Sequence, residues 1–451
     1  MKISVVGTGY VGLVSGVCLA DVGHEVVCVD SDSAKVDKIN AGESPIYEKD
    51  LDRLLHKHIG GRLKATTDLF NAVQQSELTL ISVGTPFDGE LIDLKYIKQV
   101  SCEIGSALRD KPSYHLVVVK STVVPGTTDD VVLPLLEQYS GKRAGPDFGV
   151  GMNPEFLREG EAISDFQSPD RIVLGGIDKV AQNKLAEMYE PFAFADKLVT
   201  NNKTAEMIKY TSNALLATLI SFSNEIGNLC ATIGGIDALD VMHGVHLDKR
   251  ISPILPDGNR INPVVTTYLE AGCGFGGSCF PKDVKALISH GVNAGEPMRL
   301  LKAVIEINRH QPMQMLELLR KHHADLSAKK IAVLGLAFKP GTDDMRESPA
   351  IPVINELIAA NAVVRAYDPV AQEEAKKIFR EGSVDYFDSL EEAVEGVDAV
   401  LLLTRWAEFK RLPDILKSQG SSALVVDGRR LLPRDSVRLY EGIGTWMAVK
   451  S

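Results

Sequence analysis

The run Ile3-Ser4-Val5-Val6-Gly7-Thr8-Gly9-Tyr10-Val11-Gly12 decides the fold. A short β-branched stretch enters a glycine turn and leaves it as the helical segment 13–21. A second apolar run follows, Glu25-Val26-Val27-Cys28-Val29, ending in Asp30. Strand, helix and strand in immediate succession read as a βαβ unit with parallel strands. Within the turn, Gly7 permits the tight bend, Gly9 lets backbone N–H groups approach a pyrophosphate, and Gly12 allows close helix–strand packing. The positive end of the helix dipole then faces an anion. Asp30 is placed to accept hydrogen bonds from both hydroxyls of a ribose, and its charge repels a 2′-phosphate, so NAD is expected over NADP. Lys35, a turn into the next helix, stands beside that ribose position.

Outward from this unit, apolar runs at 78–83, 116–119 and 172–174 alternate with amphipathic segments, as in a parallel sheet covered on both faces. Between 203 and 229 the period becomes helical. Ile208, Leu215, Leu216, Leu219, Phe222, Ile226 and Leu229 are spaced as one buried stripe, which predicts a connecting helix. More helix is expected at 236–244, 281–290 and 298–319. A second βαβ series opens at Lys330-Ile331-Ala332-Val333-Leu334-Gly335 and continues through 363–367, 399–403 and 424–426, although its glycine turn does not repeat the spacing of the first. At 451 residues the chain exceeds what one core supports. The expected fold is therefore α/β, two Rossmann-like doubly wound parallel-sheet domains (1–200 and 316–451) joined by a central helical region (201–315).

A net charge of −11, with no block of Lys or Arg, argues against a nucleic-acid partner. The six cysteines lack the paired spacing of a disulfide framework or a zinc site, so reduced thiols in the cytoplasm and no metal are expected. The N-terminus has no signal-peptide pattern, and no apolar run approaches the ~20 residues of a membrane span.

Three further stretches carry chemistry. Asn153-Pro154-Glu155-Phe156-Leu157-Arg158-Glu159-Gly160 reads as an N-cap, a proline at the first helical position and two carboxylates on one helical face. Lys209 and Asn213, four apart on the connecting helix, can aim a cation and an amide at one developing oxyanion. In Gly272-Cys273-Gly274-Phe275-Gly276-Gly277-Ser278-Cys279-Phe280-Pro281-Lys282-Asp283, the glycines let the backbone wrap a ligand and Pro281 opens a helix. Cys279 then stands before a helix N-terminus, where the dipole and Lys282 favour the thiolate, while Cys273 reads as a small buried residue. A nucleophilic cysteine beside a nicotinamide site implies oxidation at the aldehyde level. Thr85 and Thr122, in the strand-end turns 82–86 and 120–126, can line the cofactor.

These motifs, together with Phe338-Lys339-Pro340-Gly341-Thr342-Asp343-Asp344-Met345-Arg346-Glu347-Ser348 and Val426-Asp427-Gly428-Arg429-Arg430, occur in the order of the UDP-glucose/GDP-mannose dehydrogenase family. The chain resembles that family along essentially its whole length. The resemblance implies a four-electron oxidation with two NAD⁺ of the CH₂OH of a nucleotide sugar, UDP-glucose first, with GDP-mannose or a UDP-N-acetylhexosamine as alternatives. It implies Cys279 as nucleophile, Lys209 and Asn213 at the oxyanion, Glu155 and Asp283 in proton transfer and water activation, and Thr122 placing a water. It assigns Tyr10, Val11, Asp30, Lys35, Thr85, Thr122, Glu159, Lys282 and Arg346 to NAD. To the substrate it assigns Glu155, Phe156, Leu157, Arg158, Glu159, Lys209, Asn213, Tyr268, Leu269, Glu270, Ala271, Gly272, Phe275, Gly276, Lys339 and Arg429. It also implies that the central region forms a homodimer or dimer-based oligomer and the C-terminal domain holds UDP. Arg250 is the favoured match to an arginine reaching the neighbouring subunit, with Arg260 its rival. A single-hydride hydroxyacid dehydrogenase would share the lysine and asparagine without needing Cys279, and a catalytically silent NAD-binding module would need none of these groups.

Overall fold

The computed structural model describes residues 1–89 and 91–445. The chain forms two compact units, Met1–Ser212 and Asn213–Ser451. The first holds β1 (Lys2–Val6), β2 (Glu25–Val29), β3 (Leu63–Thr66), β4 (Leu78–Ile81), β5 (Leu116–Val119), β6 (Gly149–Met152), β7 (Arg171–Gly176) and β8 (Asp196–Thr200), in the order β3-β2-β1-β4-β5-β6-β7-β8. Every residue of β4, β5 and β6 is buried. Leu116 and Val118 pack on one face, and Val117 and Val119 on the other. Helices cover both sides of such a sheet, which is why these strands read as unbroken apolar runs. The pairing is parallel except at β6–β7. The order reverses between β1 and β4, so the carboxyl ends of these strands open the crevice where an α/β sheet takes its ligand.

The second unit repeats the plan with β9 (Lys330–Leu334), β10 (Val363–Tyr367), β11 (Asp385–Tyr386), β12 (Ala399–Leu402), β13 (Leu424–Asp427) and β14 (Leu439–Gly442), in the order β11-β10-β9-β12-β13-β14 and all parallel. The fold is thus two Rossmann-like parallel sheets with a helical region between them in sequence.

Three sequence expectations are corrected. The segment 298–319 is two helices, Arg299–His310 and Met313–Arg320, because Pro312 offers no N–H to continue the ladder and its ring clashes with the preceding turn. The connecting helix is present as Asn202–Ile233, but its apolar stripe is buried only in part: Ile208 and Ile226 pack against the cores of their units, whereas Leu215, Phe222 and Leu229 are 57%, 48% and 52% exposed. Besides Tyr210, the buried positions are mostly small or polar, among them Ala205, Glu206 and Lys209 in the first unit, and Asn213, Ala217, Ser221 and Asn224 in the second. Helices with small residues pack closely, and a polar buried face is held by hydrogen bonds rather than by apolar burial. The same helix is long and apolar enough, by length and composition, to cross a membrane, against the expectation that no run approaches that length. Its polar buried face fits a core helix.

Candidate functional site

In the first unit Gly7 adopts φ +97°, and a Cβ there would stand 2.6 Å from the carbonyl oxygen of Ser82 at the end of β4. A Cβ on Gly12 would lie 1.8 Å from the carbonyl oxygen of Gly7, whereas one on Gly9 would meet nothing within 4 Å. The turn is closed on the sheet side and open on the ligand side. The first helix starts at Tyr10 with Gly9 as its N-cap and no capping side chain, so its leading N–H groups are left for an anion. This geometry fits a dinucleotide pyrophosphate.

Asp30 accepts hydrogen bonds from the Thr8 N–H at 2.9 Å, the Thr8 hydroxyl at 2.6 Å and the Asp32 N–H at 3.0 Å. Half-burial opposes its charge, but these bonds and the charge of Lys35 hold the carboxyl below its ordinary range. A carboxylate offers about four lone-pair sites, which leaves room for a ribose hydroxyl. Thr85 and Thr122 meet across β4 and β5, the Thr85 hydroxyl donating to the Thr122 carbonyl at 2.8 Å.

The stretch 153–160 is not the helix its sequence suggests. It is a loop, and helix begins only at Ala162. The Glu155 carboxylate accepts from the N–H of Leu157 at 2.6 Å, a local bond that competes with helix formation. Glu155 and Glu159 therefore do not share a helical face. Glu155 is buried and pairs with Lys209 at 2.8 Å. Burial would raise its pKa, but the charge and hydrogen bond of Lys209, the Leu157 N–H and the charge of Lys120 outweigh it and hold the carboxyl below its usual range. Phe156 stacks under the Arg171 guanidinium, 3.8 Å from its ring centre. Arg158 turns outward to Asp165 and Glu161, each at 2.6 Å.

Sequence reasoning missed two supports of this loop. Glu48 is buried and accepts from the N–H groups of Gly160 at 2.7 Å and Ala162 at 2.9 Å, and from the Tyr10 hydroxyl. It ties the loop to the start of the first helix, and with burial it pushes the Tyr10 hydroxyl's pKa up. Lys120 follows β5 and is 3% exposed. A lysine directly after four buried β-branched or leucine residues was the available signal.

In the second unit Cys279 is the exposed N-cap of the helix Phe280–Asn293, as the sequence predicts. The Ser278 hydroxyl lies 3.5 Å from its sulfur. Asp283, one turn on and 1% exposed, accepts from the Asn213 amide at 2.7 Å and pairs with Lys282 at 2.7 Å. Lys282 pairs with Asp283, and Lys209 and Asn213 each hold one of the two carboxylates, Glu155 and Asp283. Cys273 is fully buried, as expected.

The glycine loop is clamped by residues that sequence did not single out. Asn224 accepts from the Gly272 N–H at 2.8 Å, Gln311 donates to the Gly272 carbonyl at 2.9 Å, and the Asn308 amide bonds both the N–H and the carbonyl of Phe275. Tyr268 and Phe275 pack against Phe280, with ring centres 6.4 and 6.0 Å away, and Leu269 and Ala271 are buried beneath. The loop lies on the carboxyl edge of the second sheet. The Cys273 N–H bonds the Gly428 carbonyl at 2.9 Å, the Gly277 N–H bonds the Arg346 carbonyl at 2.8 Å, and a Cβ on Gly276 would stand 2.3 Å from the Glu347 carbonyl oxygen. Arg429 donates to the carbonyls of Leu403 and Gly274, at 2.7 and 3.0 Å. Arg405 donates to the Arg429 carbonyl and pairs with Glu270. Lys339 lies 5.7 Å over the Phe338 ring, and Arg346 grips Asp344 through two nitrogens. Arg250 pairs with Asp248 with its side chain 87% exposed, whereas Arg260 is tied to the carbonyls of Leu247 and Ser252 at 2.8 Å.

A dinucleotide turn at the carboxyl end of a parallel sheet defines the chain as an NAD-linked oxidoreductase, and an exposed cysteine caps a helix in its second unit. Comparison with known proteins gives the family. Models of the UDP-glucose/GDP-mannose dehydrogenase family match the chain over residues 1–193 (NAD binding domain), 203–310 (central domain) and 332–434 (UDP binding domain). The chain belongs to this family, and its cofactor is NAD. It is 43% identical to the UDP-glucose 6-dehydrogenase AglM of Haloferax volcanii, covering 98% of this chain and 100% of that protein. The solved UDP-glucose dehydrogenase of Pyrobaculum islandicum superposes with a TM-score of 0.88 at 38% identity, covering 99% and 98% of the two chains. The UDP-D-ManNAc dehydrogenase of Pyrococcus horikoshii gives 0.82 at 32% identity, covering 98% and 99%.

Proposed function

We propose that this chain converts UDP-glucose, two NAD⁺ and water to UDP-glucuronate and two NADH, with release of three protons. The observation that carries the reading is Cys279, exposed at a helix N-cap one turn from buried Asp283, in a loop packed on the carboxyl edge of the second sheet. The likeness to UDP-glucose 6-dehydrogenases supports this sugar. Bound NAD supplies the hydride acceptor for each of two oxidations. A base, Glu155 or Asp283, takes the sugar hydroxyl proton as the alcohol becomes an aldehyde. The Cys279 thiolate then adds to the aldehyde carbon, and Lys209 and Asn213 steady the oxygen that gains negative charge. Loss of the second hydride leaves a thioester. Asp283 activates a water, placed with the help of Thr122, whose attack breaks the carbon–sulfur bond and returns the thiolate with the carboxylate product.

Residues 1–200 hold NAD, 201–315 carry the cysteine loop and the contact between copies, and 316–451 hold the UDP through Lys339 and Arg429. The exposed Leu215, Phe222 and Leu229, seven apart on one helix face, fit a second copy of the chain, as does exposed Arg250 rather than tethered Arg260. The free cysteines support a cytoplasmic setting. A UDP-N-acetylhexosamine is the second reading, favoured by the likeness to the Pyrococcus horikoshii enzyme. NADH formation across a panel of nucleotide sugars decides between them. UDP-glucose is expected to show the highest kcat/KM, and a higher value for any other sugar overturns the assignment.

A further inference from the structure

The reaction above leaves the buried ammonium of Lys120, next to Glu155 in the fold, unused. Lys120 donates to the Asn153 amide oxygen at 2.8 Å and to the Tyr189 hydroxyl at 3.4 Å, both neutral groups. Tyr189 donates to the same Asn153 oxygen at 2.5 Å, and the Asn153 amide nitrogen holds the Val173 carbonyl at 2.9 Å. Asn153 stands two residues before Glu155, where β6 gives way to the loop. The charged and titratable groups that act on Lys120 are Glu155 in the loop after β6, Lys209 on the connecting helix and Tyr189 after the helix Lys179–Met188, while Arg171 on β7 stacks on Phe156. Glu206 is engaged elsewhere, by the N–H groups of Gly126 and Thr128. Lys120, Lys209 and Glu155 thus form a buried set with two cations and one carboxylate. Neutral partners alone do not offset the burial of an ammonium, so the Glu155 charge must stabilise it.

We infer that Lys120 is a positioning residue for the reaction: it fixes the start of the Asn153–Glu155 stretch and keeps the Glu155 carboxylate ionised beside Lys209. The inference rests on the reading of Glu155 as a proton-transfer group. The electrostatics agree in direction. Burial pulls Lys120 down to about 8, with Glu155 raising it and Lys209 lowering it further, and the charge of Lys120 in turn lowers the pKa of Glu155.

The test is the pH profile of kcat for the full-length enzyme and four variants. Removing the cation raises the pKa of Glu155, so Lys120→Met should move the acid limb up by about one pH unit, costing about tenfold in kcat on that limb. The KM for NAD should stay unchanged, and Lys120→Arg, which keeps the charge, should leave the limb near its wild-type position. A fall in kcat that is uniform with pH would mean a merely structural role and overturn the inference. Should Lys120→Met fail to fold, Asn153→Asp decides, because it sets a carboxylate against the ammonium without changing volume. An upward shift supports the inference, and an unmoved limb overturns it. Glu155→Gln separates the two levels. If its acid limb persists, the reading of Glu155 fails and the inference with it. If that limb vanishes yet stays unmoved in Lys120→Met and Asn153→Asp, the role of Lys120 alone is wrong.

Discussion

The two sheets begin in the same way and end with different functions. In each, a first strand runs into a glycine at positive φ, Gly7 at +97° and Gly335 at +91°. In each, the next strand ends at an aspartate, Asp30 and Asp368. A Cβ on either glycine would strike the strand end across the switch point, Ser82 in one and Thr404 in the other. The difference lies in what the aspartate is left to do. Asp30 takes three hydrogen bonds and stays partly exposed beside a helix that starts three residues after Gly7. Asp368 is 1% exposed and accepts from the N–H groups of Leu336, Ala337, Val370 and Ala371 and from the Trp406 indole. The helix of the second turn starts only at Ala350, after a loop that carries Lys339 and Arg346. One turn is kept open for a dinucleotide. The other is closed on itself, and its edge is given to the cysteine loop.

This contrast can be broken by experiment. The largest effect is expected at Asp368. Asp368→Ala strands five buried or half-buried donors and should cost about 3–5 kcal/mol of stability in the second unit, read by denaturant unfolding, with no change in NAD preference. A shift in cofactor preference would mean that the second turn is not closed. In the first turn, Gly12→Ala forces a Cβ to within 1.8 Å of the Gly7 carbonyl oxygen and should weaken NAD binding by about 100-fold, measured by titration, since the helix must leave its place under the pyrophosphate. Lys339→Ala should raise the KM for the sugar nucleotide by about tenfold, the loss of a single charge-assisted contact, and leave the KM for NAD unchanged. An equal effect on both would remove the nucleotide from the second sheet's edge. Asp30→Ser should narrow the preference for NAD over NADP by a few-fold to about tenfold, because desolvating a carboxylate beside a 2′-phosphate no longer opposes binding. A wild type that uses both cofactors equally contradicts the ribose assignment.

How much of this was legible in the sequence follows from the range of the interactions. The glycine spacing and the continuous apolar strands are local or periodic, so both sheets could be read directly. Cys279 before Pro281 could be read too, because a proline at the start of a helix is a local signal. The loop at 153–160 was misread because Asn153 and Pro154 mimic a helix start, while the bonds that decide the matter come from Lys120, Lys209 and Glu48, far away in sequence. The exposed Leu215, Phe222 and Leu229 were misread because periodicity shows that a face is apolar, not what covers it. The clamps on the glycine loop, Asn224, Asn308 and Gln311, carry no pattern at all. Any polar residue on a helix looks the same until the fold places it.

The central claim is that one thiol, Cys279, carries the sugar between two oxidations. Counting NADH formed per sugar consumed, in the wild type and in Cys279→Ser, tests it most directly. The account predicts two NADH per sugar for the wild type, and for Cys279→Ser a loss of steady-state turnover while NAD and the sugar nucleotide still bind, because a hydroxyl is a much poorer nucleophile and leaving group than a thiolate. A wild type that stops at one NADH, or a Cys279→Ala enzyme that still delivers carboxylate at near wild-type rate, would contradict it.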